Sequence, residues 1–251
     1  MKSLCTFETK CWENDYELML KTQHLERMIN NCNYTFAKKQ LIINNVKDEP
    51  KVYNMARALV NCGTIQDVFL ASEYAEEALS EYDVQDKFER GYNYSIAELV
   101  GILKCSTKYL LHFSSDSYIP KKYSSSNWIQ EAINLMEENS NIVVANPTWN
   151  MNYQEAKKES INILGNFYLG YGFSDQCYLI NTDHFKKAIY NYKHPDSERY
   201  PQYGGELFEK KVDSFMRVTS KFRLTAIDTS YISKNVTKSQ ILLEKIGLKK
   251  I

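Results

Sequence analysis

Strand-like and helix-like segments alternate along the first 145 residues of this 251-residue chain, and this alternation limits the folds open to it. Short runs of branched and aromatic residues are each followed by a stretch whose apolar residues recur every three or four positions. A strand and then a helix, repeated at this spacing, predicts an α/β fold with a mostly parallel, Rossmann-like central sheet flanked by helices. The strand-like runs are residues 4–9, 40–45, 68–71, 109–113 and 142–145.

Two helix predictions in this half depend on particular residues. The stretch 15–31 keeps its apolar residues on one face and predicts a single continuous helix. Ser95 and Glu98 have the spacing of a capping box, in which the serine opens a helix and the glutamate reaches back to the first turn. The pattern therefore predicts a helix that begins at Ser95.

The rhythm changes after residue 146, where segment 147–175 shows little periodicity. No linker or internal repeat interrupts the chain, so we expect a single domain over residues 1–251. Its two halves would span about 1–120 and 121–235. Later predicted elements are strands at 177–180 and 222–228, helices at 183–192 and 206–217, and an amphipathic helix at 237–251.

Charge and cysteine content exclude some classes of partner and compartment. Lys plus Arg and Asp plus Glu both number 31, so no global field attracts nucleic acid, and we expect no nucleic-acid partner. The six cysteines are scattered without a C-x-x-C pair, which is typical of free thiols in a reducing compartment. No leader or membrane-length apolar run is evident, so we expect a cytoplasmic protein. The lysine-rich segment 237–251 fits either packing on the domain or peripheral membrane contact.

Glycines are scarce, and their absence from the first strand–helix turn excludes two nucleotide-binding devices. The chain has nine glycines, and the first is Gly63. Dinucleotide-binding folds and P-loops need glycine in that turn, so that the backbone can approach phosphates closely. If the sheet binds a nucleotide, side chains at the strand ends must do so, together with a metal ion.

Polar residues stand where three predicted strands end, which is the edge at which open α/β sheets bind ligands. The first strand ends in residues 8–10, the second in Asn44 and Asn45, and the fourth runs into Ser114, Ser115 and Asp116. A carboxylate there can share Mg²⁺ or Mn²⁺ with substrate phosphates. Taken alone, an aspartate after a strand is more often a simple loop residue.

The order of four segments resembles the inverting, family-2-like glycosyltransferases, which use nucleotide-sugars and have the GT-A fold. The second segment resembles their second strand, the third their helix and D-x-D strand, and the fourth the start of their catalytic helix. The resemblance covers roughly residues 3–230. The four segments are Thr9 with 13–15, then 41–45, then 91–116, and finally 203–209.

The resemblance implies transfer of a sugar from a nucleoside diphosphate, such as a UDP-sugar, to a glycan or lipid-linked acceptor hydroxyl, with inversion. It implies that Mn²⁺ or Mg²⁺ binds at Asp116. Glu206 is the first candidate for the general base, because it follows two glycines at a predicted helix start. Asp175 competes for that role or contacts the acceptor. The residues implied in donor binding are Thr9, Asn44, Asn45, Ser114, Ser115 and Asp116.

Two departures from the family pattern keep other functions open. Ser114 replaces the first acid of D-x-D, and Asn44 replaces the usual aspartate of the second strand. An amide hydrogen-bonds but brings no charge. A non-catalytic module that binds a nucleotide-sugar or glycan is therefore one alternative. A sugar-phosphate nucleotidyltransferase, against which the missing glycine loop argues, and an unrelated α/β protein are the others.

Overall fold

One sheet joins all the strands in the part of the chain that the computed structural model describes, which is residues 4–123, 126–201 and 205–233. Its strands alternate with helices as the hydrophobic pattern predicts. The strands are β1 (Cys5–Cys11), β2 (Lys38–Ile43), β3 (Asp67–Leu70), β4 (Tyr109–Phe113), β5 (Ser117–Tyr118), β6 (Ile142–Trp149), β7 (Ser160–Leu164), β8 (Phe167–Gly170), β9 (Cys177–Asn181) and β10 (Phe222–Ser233).

Most strands of the sheet run in one direction, which confirms the predicted fold class. The order across the sheet is β3-β2-β1-β4-β9-β6-β10-β8-β7, with β5 paired to β10. The neighbours β1, β2, β3 and β4 are parallel, and so are β6 and β10. Within that nine-strand order, only β9 and β8 run against the rest.

Helices cover both faces of the sheet, as predicted. Apolar residues of α2, α3 and α6 join one buried cluster with β1, β2 and β4, and residues of α4, α5 and α9 form a second cluster on the opposite face. The helices are α1 (Tyr16–Lys21), α2 (His24–Asn31), α3 (Glu49–Asn61), α4 (Ala71–Glu81), α5 (Tyr92–Lys104), α6 (Trp128–Glu138), α7 (Tyr153–Lys158), α8 (Thr182–Phe185) and α9 (Phe208–Val218).

The predicted continuous helix over 15–31 is wrong, because the chain breaks between α1 and α2. At the break, the Thr22 hydroxyl donates a hydrogen bond to the carbonyl of Leu18 (2.6 Å) and accepts one from the backbone N–H of His24 (3.1 Å). A threonine side chain that bonds the backbone in this way competes with the helical pattern. The apolar residues keep their helical spacing through the break, so the hydrophobic pattern does not reveal it.

The predicted capping box at Ser95 is also wrong. Helix α5 begins at Tyr92, three residues earlier, and both Ser95 and Glu98 are buried within it. The Ser95 hydroxyl accepts a hydrogen bond from the backbone N–H of Phe208 at the start of α9 (2.9 Å). Glu98 forms an ion pair with Lys10 of β1. Both side chains therefore serve contacts between elements, which a local motif cannot reveal.

The second half differs most from the sequence predictions. The helix predicted over 183–192 is limited to α8, and Tyr190 turns into the core, where its hydroxyl donates to the carbonyl of Phe185 (2.8 Å). The weakly periodic segment 147–175 contains α7, β7 and β8. Helix α9 begins at Phe208, two residues after its predicted start. The predicted tail helix at 237–251 lies outside the described residues.

Among the described residues, none of the helices combines the length and apolar character needed to cross a membrane.

Gly101 in α5 is required by a buried carboxylate on β1. A Cβ at this position would overlap the carboxylate of Glu8, which is fully buried and accepts a hydrogen bond from the Gln40 amide (2.5 Å). The Gln40 amide also donates to the carbonyl of Gly101 (3.1 Å). Helix and sheet therefore approach each other closely only because this helix position lacks a side chain.

We predict that Gly101→Ala lowers the free energy of unfolding by about 1–3 kcal/mol, because it overpacks this contact. In a Glu8→Ala background the same change should be neutral or stabilising, because alanine is a better helix former than glycine. Urea unfolding of the four proteins of this double-mutant cycle measures the coupling. Equal costs of Gly101→Ala in both backgrounds would contradict the proposed contact.

Candidate functional site

A cleft of about 810 Å³ opens at the carboxyl edge of β1, β2 and β4, which is the edge that the sequence predicts for a ligand. The turns that follow these three strands line it, together with the segment before β9 and the residues around the start of α9. The residues that line it are 10–12, 14–15, Leu18, 44–45, 93–94, 114–116, 174–176, Leu207 and Glu209.

Asp15 joins the turn after β1 to the turn after β4. One oxygen of its carboxylate accepts a hydrogen bond from the backbone N–H of Trp12 (2.8 Å), and the other accepts from the hydroxyl of Ser115. The carbonyl of Ser115 is in turn 2.9 Å from Nε2 of buried His24 in α2. These contacts fix Ser115 and the neighbouring Asp116 at the cleft.

The turn after β2 is tied to its neighbours in the same way. The backbone N–H of Asn44 donates to the carbonyl of Cys11 (2.9 Å), and its side-chain amide donates to the carbonyl of Asn93 (2.8 Å). Asn45 follows in the left-handed region, at a φ of 50°, which asparagine tolerates better than most residues. Asn44 thus connects β1, β2 and the start of α5.

The loop that leads into β9 is bonded directly to the turn after β4. The backbone N–H of Ser114 donates to the carbonyl of Gln176 (2.9 Å), and the Ser114 hydroxyl donates to the carbonyl of Asp175 (3.1 Å). The side-chain oxygen of Gln176 accepts from the hydroxyls of Ser117 (2.9 Å) and Ser233 (2.8 Å). These bonds hold Asp175 beside the turn after β4, in the lining of the cleft.

Glu209 lies in the first turn of α9 and faces the cleft beside Asp175. Burial and, next, the negative charge of Asp175 raise the pKa of Glu209 from 4.5 to about 8, and a hydrogen bond from the backbone of Asp175 opposes this rise. A carboxyl group with a pKa near neutral pH can act as a general base.

Glu206 lies three residues earlier and does not line the cleft. Its carboxylate is paired with Lys210 (2.9 Å) and lies 3.9 Å from the ammonium of Lys211. Because the helix begins at Phe208, Glu206 belongs to the segment that precedes it. The acid of this segment that reaches the cleft is Glu209.

A buried ion pair forms part of the floor. Lys10 near the end of β1 pairs with Glu98 of α5, and the side chains are 18% and 0% exposed, respectively. On the same face of β1, Glu8 contacts Nδ1 of His112 (3.0 Å). Polar side chains thus occupy a strand face that would be apolar in an ordinary core.

The cleft is acidic. Asp15, Asp116, Asp175 and Glu209 line it, whereas Lys10 is the one basic residue among the described residues of its lining. Burial raises the pKa of Asp15 to about 6 and also raises the pKa of Asp116, to which the charge of Asp175 contributes. An anionic ligand therefore needs additional positive charge to bind here.

The donor atoms of the cleft fit a hard divalent cation that a ligand helps to hold. Asp116 offers a carboxylate, and the other polar lining atoms near it are hydroxyl, amide and carboxylate oxygens, which Mg²⁺ and Mn²⁺ prefer. Within the described part of the chain, no group of three or more His, Cys, Asp or Glu is arranged to hold a metal ion. Magnesium commonly binds one or two carboxylates and completes its shell with water and substrate phosphates.

The structure brings together six of the eight predicted site residues. Thr9 is fully buried inside β1, which extends two residues beyond it, so Thr9 and Glu206 stay outside the cleft lining. The sequence places Lys10 at the end of the first strand and Asp15 in the turn that follows, but sequence reasoning assigned neither a role, and it missed Glu209 as a cleft residue. The six predicted residues that line the cleft are Asn44, Asn45, Ser114, Ser115, Asp116 and Asp175.

No protein-family model and no curated protein sequence matches the chain. Among solved structures, GalNAc-T7 with UDP, GalNAc and Mn²⁺ matches at a TM-score of 0.57 and 9% identity, over 98% of this chain and 48% of that one. Glucosyl-3-phosphoglycerate synthase from Mycobacterium tuberculosis, with Mg²⁺ and UDP, matches at a TM-score of 0.48 and 10% identity, over 99% and 81%. S. aureus TarS 1–349 matches at a TM-score of 0.46 and 11% identity, over 99% and 64%.

These likenesses concern the fold, and the GalNAc-T7 structure carries the assignment. The chain has the GT-A fold of glycosyltransferases, in agreement with the resemblance noted in its sequence. It spans 64% of the length of the TarS structure and 48% of that of GalNAc-T7.

The buried acid below the cleft predicts a particular dependence of stability on pH. Burial raises the pKa of Glu8 from 4.5 to about 8, so the folded chain retains a proton there that the unfolded chain releases. The free energy of unfolding should therefore fall as the pH rises from 4.5 to 8.

We predict that this fall is smaller in Glu8→Gln, whose side chain does not titrate, by roughly 2–5 kcal/mol between pH 5 and 8. Urea unfolding at a series of pH values measures both proteins. Glu76→Gln, at an exposed ion pair with Lys87, provides a matched control that should keep the wild-type slope. Parallel curves for wild type and Glu8→Gln would contradict the assignment of a buried, protonated Glu8.

Proposed function

We propose that this protein is a glycosyltransferase that moves a sugar from a nucleoside diphosphate to an acceptor hydroxyl. The observation that carries the proposal is the presence of Asp116, Asp175 and Glu209 together in the lining of one acidic cleft at the carboxyl edge of a GT-A sheet. Asp116 would serve the donor phosphates, and Glu209 with Asp175 would serve the acceptor.

The turns after β1, β2 and β4 would bind the donor. Asn44 and Asn45 offer amides to the base and ribose, and Ser114 and Ser115 lie beside the expected path of the diphosphate. Asp116 would hold Mn²⁺ or Mg²⁺, which when bound supplies positive charge for the leaving diphosphate. A UDP-sugar is the donor that we favour, since GalNAc-T7 of the same fold is solved with UDP and Mn²⁺.

Glu209 is the residue that we assign as general base. The acceptor oxygen would bond to the anomeric carbon as the bond from that carbon to the diphosphate oxygen breaks. The electron pair leaves with the diphosphate, and the acceptor proton passes to the carboxylate of Glu209. Attack from the face opposite the leaving group gives inversion. Asp175, which raises the pKa of Glu209, would orient the acceptor.

The acceptor that we favour is a glycan or a lipid-linked hydroxyl, and we propose a cytoplasmic location. Peripheral membrane contact through 237–251 would suit a lipid-linked acceptor, and that segment lies outside the described residues.

A non-catalytic module that binds a nucleotide-sugar is the second candidate. Ser114 in place of an acid leaves one strand-end carboxylate after β4, and no three-residue metal group stands in the described part of the chain. Such a module would bind the donor and release no nucleoside diphosphate with any acceptor.

We predict that a UDP-, GDP- or dTDP-sugar raises the melting temperature, and that Mn²⁺ increases this effect. Asp116→Asn should weaken binding in Mn²⁺ by about tenfold or more, which is about 1.4 kcal/mol. Asp228→Asn, at an exposed irregularity of strand β10 outside the cleft lining, serves as a control. Absence of any shift with every donor would contradict the proposed function.

We predict that Glu209→Gln lowers kcat by about 10²–10⁴-fold with little change in donor affinity, because the general base is lost. In the wild type, kcat/KM should rise with pH and level off above about 8, where Glu209 is deprotonated. Glu206→Gln, the matched variant, should change kcat by less than about threefold, since it removes a lysine pair beside the cleft. A large loss of kcat in Glu206→Gln, together with an active Glu209→Gln, would instead assign the general base to Glu206.

A further inference from the structure

Lys10 carries charge to a position from which it can reach a ligand's phosphates. It follows Glu8 on the face of β1 that packs against α5, and its side chain, which is 18% exposed, forms part of the cleft lining. Among the described residues that line the cleft, it alone is basic. We propose that Lys10 binds the diphosphate of the donor directly and that Glu98 positions it. This inference rests on the proposed function.

Carboxylates from several elements surround the ammonium of Lys10. Its charge interacts with Asp15, in the turn after β1, and with Asp175, before β9. Burial opposes its charge, but the carboxylates around it, Glu98 first, raise the pKa of Lys10 above its usual value and keep it protonated. A permanent cation therefore lies within electrostatic reach of both Asp116 and Glu209.

Glu98 holds this cation without using all of its donors. One oxygen of Glu98 accepts a hydrogen bond from Lys10, and Glu98 is the hydrogen-bond partner found for Lys10 in the described part of the chain. The other oxygen of Glu98 is buried and has no partner in that part of the chain. An ammonium has three N–H donors, so Lys10 keeps donors for a ligand. A helix carboxylate with no exposed surface cannot itself reach a ligand in the cleft, and its effect must pass through Lys10.

The charge of the donor explains why such a residue is needed. A nucleoside diphosphate brings at least two negative charges into a cleft that already holds four carboxylic acids. Asp116 is the one carboxylate that directly follows β4, because Ser114 stands where a second acid would help to hold a cation. Lys10 supplies positive charge from the protein itself, and this charge requires no metal.

The test compares affinities for UDP and for uridine, which lacks phosphates, by calorimetry in Mn²⁺ and again in EDTA. Lys10→Met alone leaves Glu98 buried and unpaired, and this can prevent folding. The double variant Lys10→Met/Glu98→Leu removes both charges and replaces a buried pair with apolar side chains, a change that proteins often tolerate. GDP with guanosine, or dTDP with thymidine, replaces the first pair if the donor panel selects that base.

We expect the double variant to lose about 10- to 100-fold in UDP affinity in both solutions, because a hydrogen bond to a charged group is lost, while uridine affinity is kept. Glu98→Gln, which keeps Lys10 but loses the carboxylate that positions it, should lower UDP affinity by a smaller factor, about 3- to 10-fold, and keep uridine affinity. Unchanged UDP affinity in the double variant, or an equal loss for UDP and uridine, would overturn the role of Lys10. Wild-type protein that binds none of these nucleotides would instead overturn the proposed function, and this inference with it.

Discussion

The rest of this structure depends on a few ionisable side chains that are buried on β1 and α5, near the carboxyl edge of the sheet. Taking a carboxylate or an ammonium out of water is costly unless a partner stabilises it or its protonation changes. Lys10 and Glu98 offset the cost of burial by forming an ion pair, and Glu8 avoids it by retaining a proton. The fold accommodates these groups through Gly101, whose missing side chain lets α5 approach the sheet.

The same electrostatics shape the chemistry of the cleft. Asp116 and Glu209 both have raised pKa values because they are withdrawn from water and lie near Asp175. In the proposed reaction the two acids would do different work, one near the phosphates and one near the acceptor hydroxyl. Lys10 interacts with both acids as a fixed cation, which is expected where negative charge develops on a leaving group.

Periodicity in the sequence was sufficient to predict the parallel core of the fold. Strands β1, β2, β3 and β4 were predicted within two residues of their observed limits, and a cleft opens at the edge where a ligand was predicted. The later half could not be predicted as well. Segment 147–175 contains the paired strands β7 and β8, which join the sheet through pairing of β8 with β10, a long-range contact that no local pattern contains.

The candidate site shows the same limit at the level of single residues. Asp116 was found because it directly follows a clear strand, whereas Glu209 was missed because α9 begins two residues later than predicted. That shift turns Glu206 toward lysines and brings Glu209 to the cleft. Ser95 and Glu98 matched a local capping motif, yet their partners lie on α9 and β1.

The central claim is that a nucleotide-sugar lies across this edge of the sheet with its phosphates between Asp116 and Lys10. A crystal structure with UDP and Mn²⁺, or with the nucleotide that the donor panel selects, tests it most directly. The account predicts a diphosphate whose metal contacts the carboxylate of Asp116 and whose oxygens lie within hydrogen-bond distance of Nζ of Lys10, about 2.7–3.2 Å. A nucleotide bound elsewhere, or phosphates that point away from both side chains, would contradict it.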